Sequence, residues 1–461
     1  MTHVPDAFQD RLVRYACSLR YEDLPEVTIH DATVRVIDTF GSLIGGFSGE
    51  ACRTSRATAA LYSSPFAATV IGTRNKSSAE MAAFANATTA RFVEMNDVYH
   101  WPGSGGGHPS DVIMPIFAVA EAVQATGKEL ITAVVLGYEV FLRVADAVRL
   151  HGFDHTNYAL LGTVLGCGKL LKLDEEQMAQ ALTMAVVPNN GLQQARAGHL
   201  SMWKAVASGQ MGKAAVFAAL LAREGMEGPN LPFEGAGGWL KNVARQAVEL
   251  PVMGGENGAG FKISDTIIKP RSSCATTISS ILAAEEAAAK LSDPAEIEKV
   301  TVEVYQRAKV GMGTGEHHWN PQTRETADHS IPYVVAATLI DGTVTPRQFA
   351  DSRLFSTELR TLLPKIEVVE NPEFTEDYEK LPIQHRTRVT VNMSNGNFHL
   401  GEIRTIKGDL SDPMNDEEIS EKFLKLTQDS IGGKSARAIL ERMWKLDEMA
   451  DVSEIPPAFV L

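Results

Sequence analysis

The stretch Glu94-Met-Asn-Asp97-Val-Tyr-His100-Trp-Pro-Gly-Ser-Gly-Gly-Gly-His108-Pro-Ser-Asp111 separates two helical regions and concentrates carboxylates, imidazoles and glycines. Its glycine run, Gly103 to Gly107, is unfavourable in a helix or a strand, because glycine loses the most backbone freedom on ordering. The sequence therefore predicts a loop here. Such a loop is either a solvated connection between helices or a segment whose backbone approaches a ligand closely.

Around this loop, most of the first 265 residues have the apolar spacing of α-helices. Apolar residues recur at three- and four-residue intervals, with breaks at Gly, Pro or Asn. The predicted helices are 26–46, 78–97, 111–126, 128–147, 158–171 and 203–224. Asp174, followed by two glutamates, is typical of an N-cap and acidic first turn of another helix. The alanine- and methionine-rich helix faces are interpreted as core.

The pattern changes after Ile263. Residues 278–291 and 329–340 predict helices, whereas residues 298–306 alternate as a half-buried strand. Residues 386–399 predict a β-hairpin around Asn395-Gly396. We therefore predict a mainly α protein with two domains. A large all-helical domain (residues 1–265) is completed by residues 405–461, and a smaller α+β lid domain (residues 266–404) is inserted before the C-terminal helices.

The bulk composition is that of an ordinary globular enzyme. The chain has 461 residues, of which 44% are hydrophobic and 22% charged. A chain of this length exceeds the size that a single hydrophobic core reaches, so two domains are expected. No apolar run reaches the ~18 to 20 residues that span a bilayer. The first ten residues lack the regions of a signal peptide. Four separated cysteines, at positions 17, 52, 167 and 274, have no metal-binding spacing and fit a reduced cytoplasmic setting.

The charge balance argues against two classes of partner. The 43 Lys and Arg residues against 57 Asp and Glu residues give a formal net charge of −14. Nucleic acids and anionic membranes require a basic face, so neither is expected as a partner. A small anionic substrate remains compatible, because a local basic pocket can lie inside an acidic shell.

Two segments place polar and cationic groups directly before predicted helices. His155 ends the segment Gly152-Phe-Asp-His155 at a helix N-terminus, where backbone N–H groups favour an anion. The segment 193–204 contains Arg196, His199 and Lys204 before the next apolar helix. For both segments, a capping role or a solvated turn is the alternative.

A third segment, Thr266–Cys274, adds Lys269 and Arg271 before the first helix of the α+β part. The helical part gives way to the α+β part at this point. An interdomain cleft is a frequent place for a small-molecule site, so these two cations are expected to face one.

Together these side chains suit proton transfer at a carbon next to a carboxylate. Cations and N–H groups would bind the carboxylates of the substrate, and a positioned carboxylate or imidazole would move the proton. Asp97 is the candidate base. The candidate pocket also contains His108, His155, Lys204 and Lys269, with Arg196, His199 and Arg271 as further members.

Other chemistries have weaker support. No GxGxxG opens a βαβ unit and no GxxxxGK[ST] is present, so nucleotide binding is not predicted. His317 and His318 are adjacent rather than spaced on one helical face, which is poor support for a metal site. No pattern of a nucleophilic Cys or Ser with a dedicated base is recognisable.

In order and spacing, the motifs resemble the MmgE/PrpD family, which includes 2-methylcitrate dehydratase and cis-aconitate decarboxylase. The resemblance covers almost the whole chain. Its motifs are Glu94-Met-Asn-Asp97, Gly107-His108-Pro-Ser-Asp111, Gly152-Phe-Asp-His155, Ser201-Met-Trp-Lys204, Ile268-Lys269-Pro and Ala327-Asp-His-Ser-Ile-Pro-Tyr333.

The resemblance implies a helical domain with a smaller α+β lid, an active site between them, and a homodimer. It also implies catalysis without metal, iron–sulfur cluster or organic cofactor. Carried onto matching positions, it makes Asp97, His108, His155, Lys204 and Lys269 the catalytic residues. In that assignment Asp97 or His155 transfers the proton at carbon and His108 protonates a leaving hydroxyl. Lys204 and Lys269 hold carboxylates.

The chain departs from the family pattern after Lys269-Pro. Arg271 replaces a frequent aromatic and Ile278 a frequent histidine, which indicates a more highly charged substrate or a different proton path. The leading prediction is a cofactor-independent lyase that dehydrates 2-methylcitrate or a similar hydroxy acid. The alternatives are decarboxylation of cis-aconitate to itaconate, epimerisation or isomerisation of a dicarboxylate, and non-catalytic binding of an organic acid.

Overall fold

The computed structural model describes residues 6–101 and 103–461. The first five residues, on which part of the signal-peptide prediction depends, lie outside this range. The helices are α1 (Ala7–Ser18), α2 (Glu26–Gly46), α3 (Glu50–Ala59), α4 (Ala79–Phe92), α5 (Ile113–Ala122), α6 (Gly127–Ala147), α7 (Thr156–Leu170), α8 (Glu175–Val186), α9 (Trp203–Arg223), α10 (Ala275–Ala288), α11 (Gln306–Met312), α12 (Glu316–Trp319), α13 (Arg324–Ala327), α14 (Ile331–Asp341), α15 (Asp351–Leu354), α16 (Thr357–Leu362), α17 (Pro372–Glu379), α18 (Asp416–Ile431) and α19 (Gly433–Met443). The strands are β1 (Ala67–Thr69), β2 (Lys76–Ser78), β3 (Ile297–Val304), β4 (Ile366–Glu370), β5 (Thr387–Met393) and β6 (Phe398–Ile403).

The helical part is held together by close contacts between small residues. A Cβ atom added at Gly162 in α7 would lie 2.2 Å from the carbonyl oxygen of Gly137 in α6. The two helix backbones can approach this closely only because both positions are glycine. The helices also carry strong caps, since the Asp174 carboxylate accepts from the Gln177 amide at 2.8 Å as α8 begins.

The α+β part is built on a four-stranded sheet in the order β4-β3-β5-β6. Strand β4 pairs parallel to β3, while β5 pairs antiparallel to both β3 and β6. Helix α10 lies directly on this sheet, because a Cβ atom at Gly401 in β6 would meet the Ala283 carbonyl oxygen at 1.9 Å. The alternating burial of β5 places one face against these helices.

Two large hydrophobic cores are present in the described ranges, beside a small cluster around Val70 and Met81. One contains the helices of the first 268 residues together with the C-terminal segment, and the other contains the sheet and its helices. The C-terminal segment reaches α2, since the Phe459 and Phe40 rings lie 5.2 Å apart. Lys422 in α18 also forms a buried ion pair with Asp38 in α2. The boundaries of the predicted domains and the lid arrangement stay predictions.

The mainly α class is confirmed, with 58% of the chain helical. Helix α2 has the predicted bounds, and the hairpin around Asn395-Gly396 is present. The predicted helix 78–97 is too long, because α4 ends at Phe92 and Glu94 has a left-handed backbone with φ of 55°. The short hairpin β1–β2 and the parallel strand β4 were not predicted, since short or edge strands carry little periodic signal.

One helix among the described residues passes a length and composition test for spanning a membrane, contrary to the expectation that no apolar run is long enough. Helix α9 has a mean hydropathy of 1.4 over its most apolar window, and 67% of that window is buried. Its alanines pack against α4, α7 and α8. A core helix meets the same test, so this is weak evidence for a membrane span.

Candidate active site

The candidate site lies where five segments of the chain meet. The loop after α4 supplies Glu94 and His108, and the N-termini of α7 and α9 supply His155 and Lys204. The segment before α10 supplies Lys269. A turn between α13 and α14 completes the cluster with Asp328 and His329. The site therefore requires both the helical part and the α+β part.

At the centre of the cluster is the carboxylate of Glu94, which is 1% exposed. It accepts from Lys269 Nζ at 2.8 Å and from Arg91 Nη1 at 2.6 Å, and Lys204 Nζ lies 3.0 Å away. Burial raises the pKa of Glu94, but the charges of Arg91, Lys204 and Lys269 outweigh burial and hold it well below its usual value. Glu94 is therefore ionised and neutralises buried cations.

A second buried carboxylate, Asp328, joins Lys204 to the α+β part. Lys204 Nζ lies 2.7 and 2.9 Å from its two oxygens, and His329 Nδ1 lies 2.6 Å away. Burial raises the pKa of Asp328, but Lys204 and His329 lower it to about 2. Lys204 and Lys269 belong to the cluster as predicted, but both bind carboxylates of the protein.

The tautomer of His108 follows from its hydrogen bond. Its Nδ1 lies 2.8 Å from the carbonyl oxygen of Asp97, and a carbonyl can only accept, so Nδ1 carries the hydrogen. Burial and the charge of Arg91 hold the pKa of His108 well below its usual value. The ring is therefore neutral, with an unprotonated Nε2 that lies 3.6 Å from a Glu94 oxygen.

His155 lies next to His108, with ring centroids 5.3 Å apart. Its Nε2 is 3.3 Å from Asp111 and its Nδ1 is 3.6 Å from Asp154. Both carboxylates are buried and can stabilise the positive charge of an imidazolium. His155 thus has a carboxylate beside each ring nitrogen, while the Nε2 of His108 is free.

Of the pair, His155 lines a cavity of about 780 Å³, whereas His108 is adjacent to His155 but is not part of the cavity wall. The helical part contributes the glycine loop, His155 and Arg196 to its wall, and the α+β part contributes Arg307 and Tyr378. This volume is within the range of small-molecule sites. Within the described ranges, no group of three or more His, Cys, Asp or Glu residues is arranged to hold a metal ion.

Asp97, the predicted base, is held by hydrogen bonds within the protein. Its carboxylate is 1% exposed and accepts from the Ser110 amide at 3.0 Å and from the Tyr138 hydroxyl at 2.9 Å. Asp97 does not line the cavity. Instead, its side chain fixes the turn after His108, and its carbonyl oxygen orients the His108 ring. In the same motif, the carboxylate at the centre of the cluster is that of Glu94, which binds Arg91, Lys204 and Lys269.

Of the three predicted substrate-binding residues, the structure brings only Arg196 to the cavity. Arg196 Nε donates to Asp154 at 2.8 Å, and its buried Nη2 has no hydrogen-bond partner among the described residues. His199 is exposed, with its ring 5.7 Å from that of His317. Arg271 donates through two nitrogens to Glu285 at 2.6 and 2.8 Å and lines a different cavity.

Sequence reasoning missed several buried carboxylates of the site. Glu94 carried one available signal, since Arg91 precedes it by three residues and such pairs meet on a helical turn. Asp111, Asp154 and Asp328 stand within the quoted motifs beside or close to a histidine. Their partners come from distant segments, so the sequence alone does not indicate which of them are paired.

The glycine loop packs against His155, which explains its composition. Gly107 has a φ of +128°, and a Cβ atom added there would lie 2.7 Å from His155 Cβ. We expect Gly107→Ala to displace His155, lowering turnover by about a hundredfold, because a Cβ–Cβ clash cannot be relieved by rotating a side chain. Gly342→Ala, at φ +83° with nothing within 4 Å, is the matched control for backbone strain. Equal turnover in the two variants would contradict this role of Gly107.

Cys274, at the start of α10, is a thiol that the sequence analysis did not pair with a base. Burial raises the pKa of Cys274, but the charge of His329 and its hydrogen bond outweigh burial and lower it to about 7. We expect iodoacetamide to alkylate Cys274 with a rate that is half-maximal near pH 7, because only the thiolate reacts. Burial raises the pKa of Cys52 to about 12, so Cys274→Ser should remove the reaction at neutral pH. An unchanged midpoint in His329→Asn would contradict the pairing.

Comparison with known proteins shows two family models that match the chain, and several similar proteins of known activity. The MmgE/PrpD N-terminal domain matches residues 10–249, and the MmgE/PrpD C-terminal domain matches residues 272–447. Cis-aconitate decarboxylase of Homo sapiens is 23% identical over 458 residues, 94% of this chain and 91% of that protein. Cis-aconitate decarboxylase of Aspergillus terreus is 25% identical over 474 residues, 96% of this chain and 94% of that protein. 2-Methylcitrate dehydratase of Salmonella typhi is 25% identical over 414 residues, 84% of this chain and 82% of that protein.

The first model alone matches more than half of the chain, which confirms the resemblance read from the motifs. This protein therefore belongs to the MmgE/PrpD family and is an enzyme of that family.

Proposed function

We propose that this protein is a lyase that dehydrates 2-methylcitrate or a similar hydroxy tricarboxylate. The observation that carries the proposal is the pair of adjacent histidines, of which His155 lines the cavity with a carboxylate beside each ring nitrogen and His108 has a free Nε2. We assign His108 the role of proton acceptor and His155 the role of proton donor. Dehydration needs both functions at neighbouring atoms, because a proton leaves one carbon while a hydroxyl leaves the next. The relatives named 2-methylcitrate dehydratase support the same reaction class.

In the proposed reaction, His108 Nε2 takes the proton from the carbon next to a carboxylate. The electron pair of that C–H bond forms the carbon–carbon double bond, and the C–O bond of the neighbouring carbon breaks. His155 gives its proton to the departing hydroxyl, which leaves as water. This reverses the roles expected from the sequence, because the hydrogen on His108 Nδ1 points to the Asp97 carbonyl.

Lys204 and Lys269 have a positioning role in this proposal. Their ammonium groups hold Glu94 and Asp328, and these carboxylates in turn fix the charge around His108 and His329. The substrate carboxylates would instead be held by cationic groups that line the cavity, of which Arg196 is one.

Decarboxylation of cis-aconitate to itaconate is the second candidate. The similarity to the decarboxylases extends over more of this chain, which favours this reaction. The cis-aconitate decarboxylases of Homo sapiens and Aspergillus terreus match 94% and 96% of the chain, whereas the dehydratase of Salmonella typhi matches 84%. In that reaction a carbon–carbon bond breaks, and His155 would protonate the carbon left behind.

We further propose that the protein acts as a homodimer in the cytoplasm, without a metal or organic cofactor. Membership of the MmgE/PrpD family supports the dimer and the absence of a cofactor. The net charge of −14 argues against nucleic acids and anionic membranes as partners.

Proton NMR of the chelator-treated protein in D₂O tests the reaction, with 2-methylcitrate, citrate, cis-aconitate and hydroxy-dicarboxylates supplied separately. Loss of water from a tricarboxylate is the expected result. Itaconate formed from cis-aconitate would establish the second candidate instead. Deuterium exchange without net conversion would indicate an epimerase, and no change in any spectrum would contradict both reactions.

A further inference from the structure

The buried cations around Glu94 do not line the cavity and are already bound to carboxylates of the protein. Glu94 binds Arg91 and Lys269, and Lys204 lies between Glu94 and Asp328. All five groups are at most 3% exposed. A substrate carboxylate would have to displace a buried ion pair to reach these cations, which is costly.

Two arginines on the cavity wall, by contrast, have no carboxylate partner among the described residues. Arg149 follows α6 and Arg307 belongs to α11, and both are exposed. Across residues 6–101 and 103–461, neither has a carboxylate oxygen within 4 Å. The known contacts are neutral: Arg149 Nε donates to the Gly103 carbonyl oxygen at 2.8 Å, and Arg307 hydrogen-bonds to Tyr378. Both guanidinium groups therefore keep an unneutralised charge.

The charge of Arg307 affects a neighbouring histidine on the cavity wall. Burial and the charge of Arg307 lower the pKa of His100 to about 3, so His100 is neutral. Arg196, on the same wall, has a buried Nη2 without a partner among the described residues. Glu379 is the acidic residue that the α+β part contributes to this wall, and it is exposed at the rim.

We infer that Arg149 and Arg307 form an outer anion subsite, which binds a substrate carboxylate remote from the carbons at which His108 and His155 act. The inference rests on the proposed function and deepens it, because it assigns the substrate to the polycarboxylates. A guanidinium group presents paired donors that match the two oxygens of a carboxylate. The acidic shell of the protein makes such an uncompensated pair of cations selective for an anion that enters the cavity.

The subsite also links the two parts of the chain. Arg149 comes from the helical part and Arg307 from the α+β part, so a polycarboxylate bound in the cavity can contact both parts. A carboxylic acid without the remote carboxylate would lack this contact. Binding strength should therefore distinguish tricarboxylates from shorter acids, independently of the chemical step.

Isothermal titration calorimetry with citrate, malate and inorganic phosphate tests this subsite. We expect Arg149→Gln and Arg307→Gln each to weaken citrate binding by about 10- to 100-fold, the effect of losing one charged hydrogen bond. The ratio of citrate to malate affinity should fall towards one in both variants. Arg53→Gln and Arg404→Gln remove the same charge from exposed arginines outside the cavity, and they should bind citrate within about twofold of the wild type.

Three results would overturn the assignment. Citrate binding within twofold of the controls in both variants would exclude the subsite, and so would a wild-type protein that does not bind citrate. Phosphate bound more tightly than citrate, and lost in the variants, would assign the subsite to a phosphoryl group instead. Calorimetry does not depend on turnover: arginine-dependent citrate binding without any dehydration or decarboxylation would leave the subsite standing and remove the proposed reaction.

Discussion

Glu94→Gln is expected both to lower turnover by at least about a hundredfold and to destabilise the folded protein. The substitution keeps the shape of the side chain but removes a negative charge that contacts Arg91, Lys204 and Lys269. Leaving buried cations without a counter-charge costs about 3 to 5 kcal/mol, and losing a preorganised charge at a site typically costs about 10²- to 10³-fold in rate. Thermal unfolding should show a melting temperature lower by roughly 3 to 5 °C for a chain of this length.

Glu139→Gln is the matched control for the loss of stability. Glu139 is also fully buried, binds Arg143 at 2.6 Å and accepts from the amides of Gly254 and Lys262, but it has no contact with Lys204, Lys269 or His108. We expect this variant to lose comparable stability and to keep its turnover per folded molecule. Wild-type turnover in Glu94→Gln, measured below its melting temperature, would show that the cluster is not the active site.

His155→Asn is expected to lower kcat by about 10²- to 10⁴-fold, the usual contribution of a general acid. The asparagine keeps a hydrogen-bonding group between Asp111 and Asp154 but carries no transferable proton. Substrate binding should change little, so KM should stay within a few-fold of the wild-type value. Steady-state kinetics on the substrate identified by NMR measures both constants.

Hydrogen exchange in D₂O separates the two histidines. If His108 removes the proton from carbon, His155→Asn should still exchange that proton for deuterium while failing to release water, and His108→Asn should do neither. The opposite pattern would restore the assignment made from the sequence. His199→Asn serves as the control, because His199 is exposed and lies outside the cavity; its kcat should stay within about twofold.

The parts of the fold that follow from local patterns could be predicted from the sequence. Helix α2 and the hairpin around Asn395-Gly396 have clear periodicity or turn residues, and the structure has both. The end of α4 could not be predicted, because Glu94 adopts a left-handed backbone that tertiary ion pairs stabilise. Strand β4 was missed because its pairing with β3 joins segments far apart in the chain.

For the site, the sequence named segments that the structure brings together, but it did not indicate which of their side chains contact one another. Asp97 and Glu94 stand in one motif, yet only the structure shows that the Tyr138 hydroxyl and the Ser110 amide donate hydrogen bonds to the Asp97 carboxylate. Arg271 stands two residues from Lys269, but its side chain is directed to Glu285. Such choices depend on partners from other elements, which a single sequence does not reveal.

The ion pairs that join Glu94 to Lys269 and Lys204 to Asp328 have a consequence for exchanging parts between family members. Each pair has one member before residue 205 and the other after residue 268, and all four groups are buried. A chimera that combines the first part of this chain with the second part of a relative must therefore match charges at both positions. A neutral residue at either position would leave a buried charge unpaired, so the compatible relatives are those in which both pairs occur together.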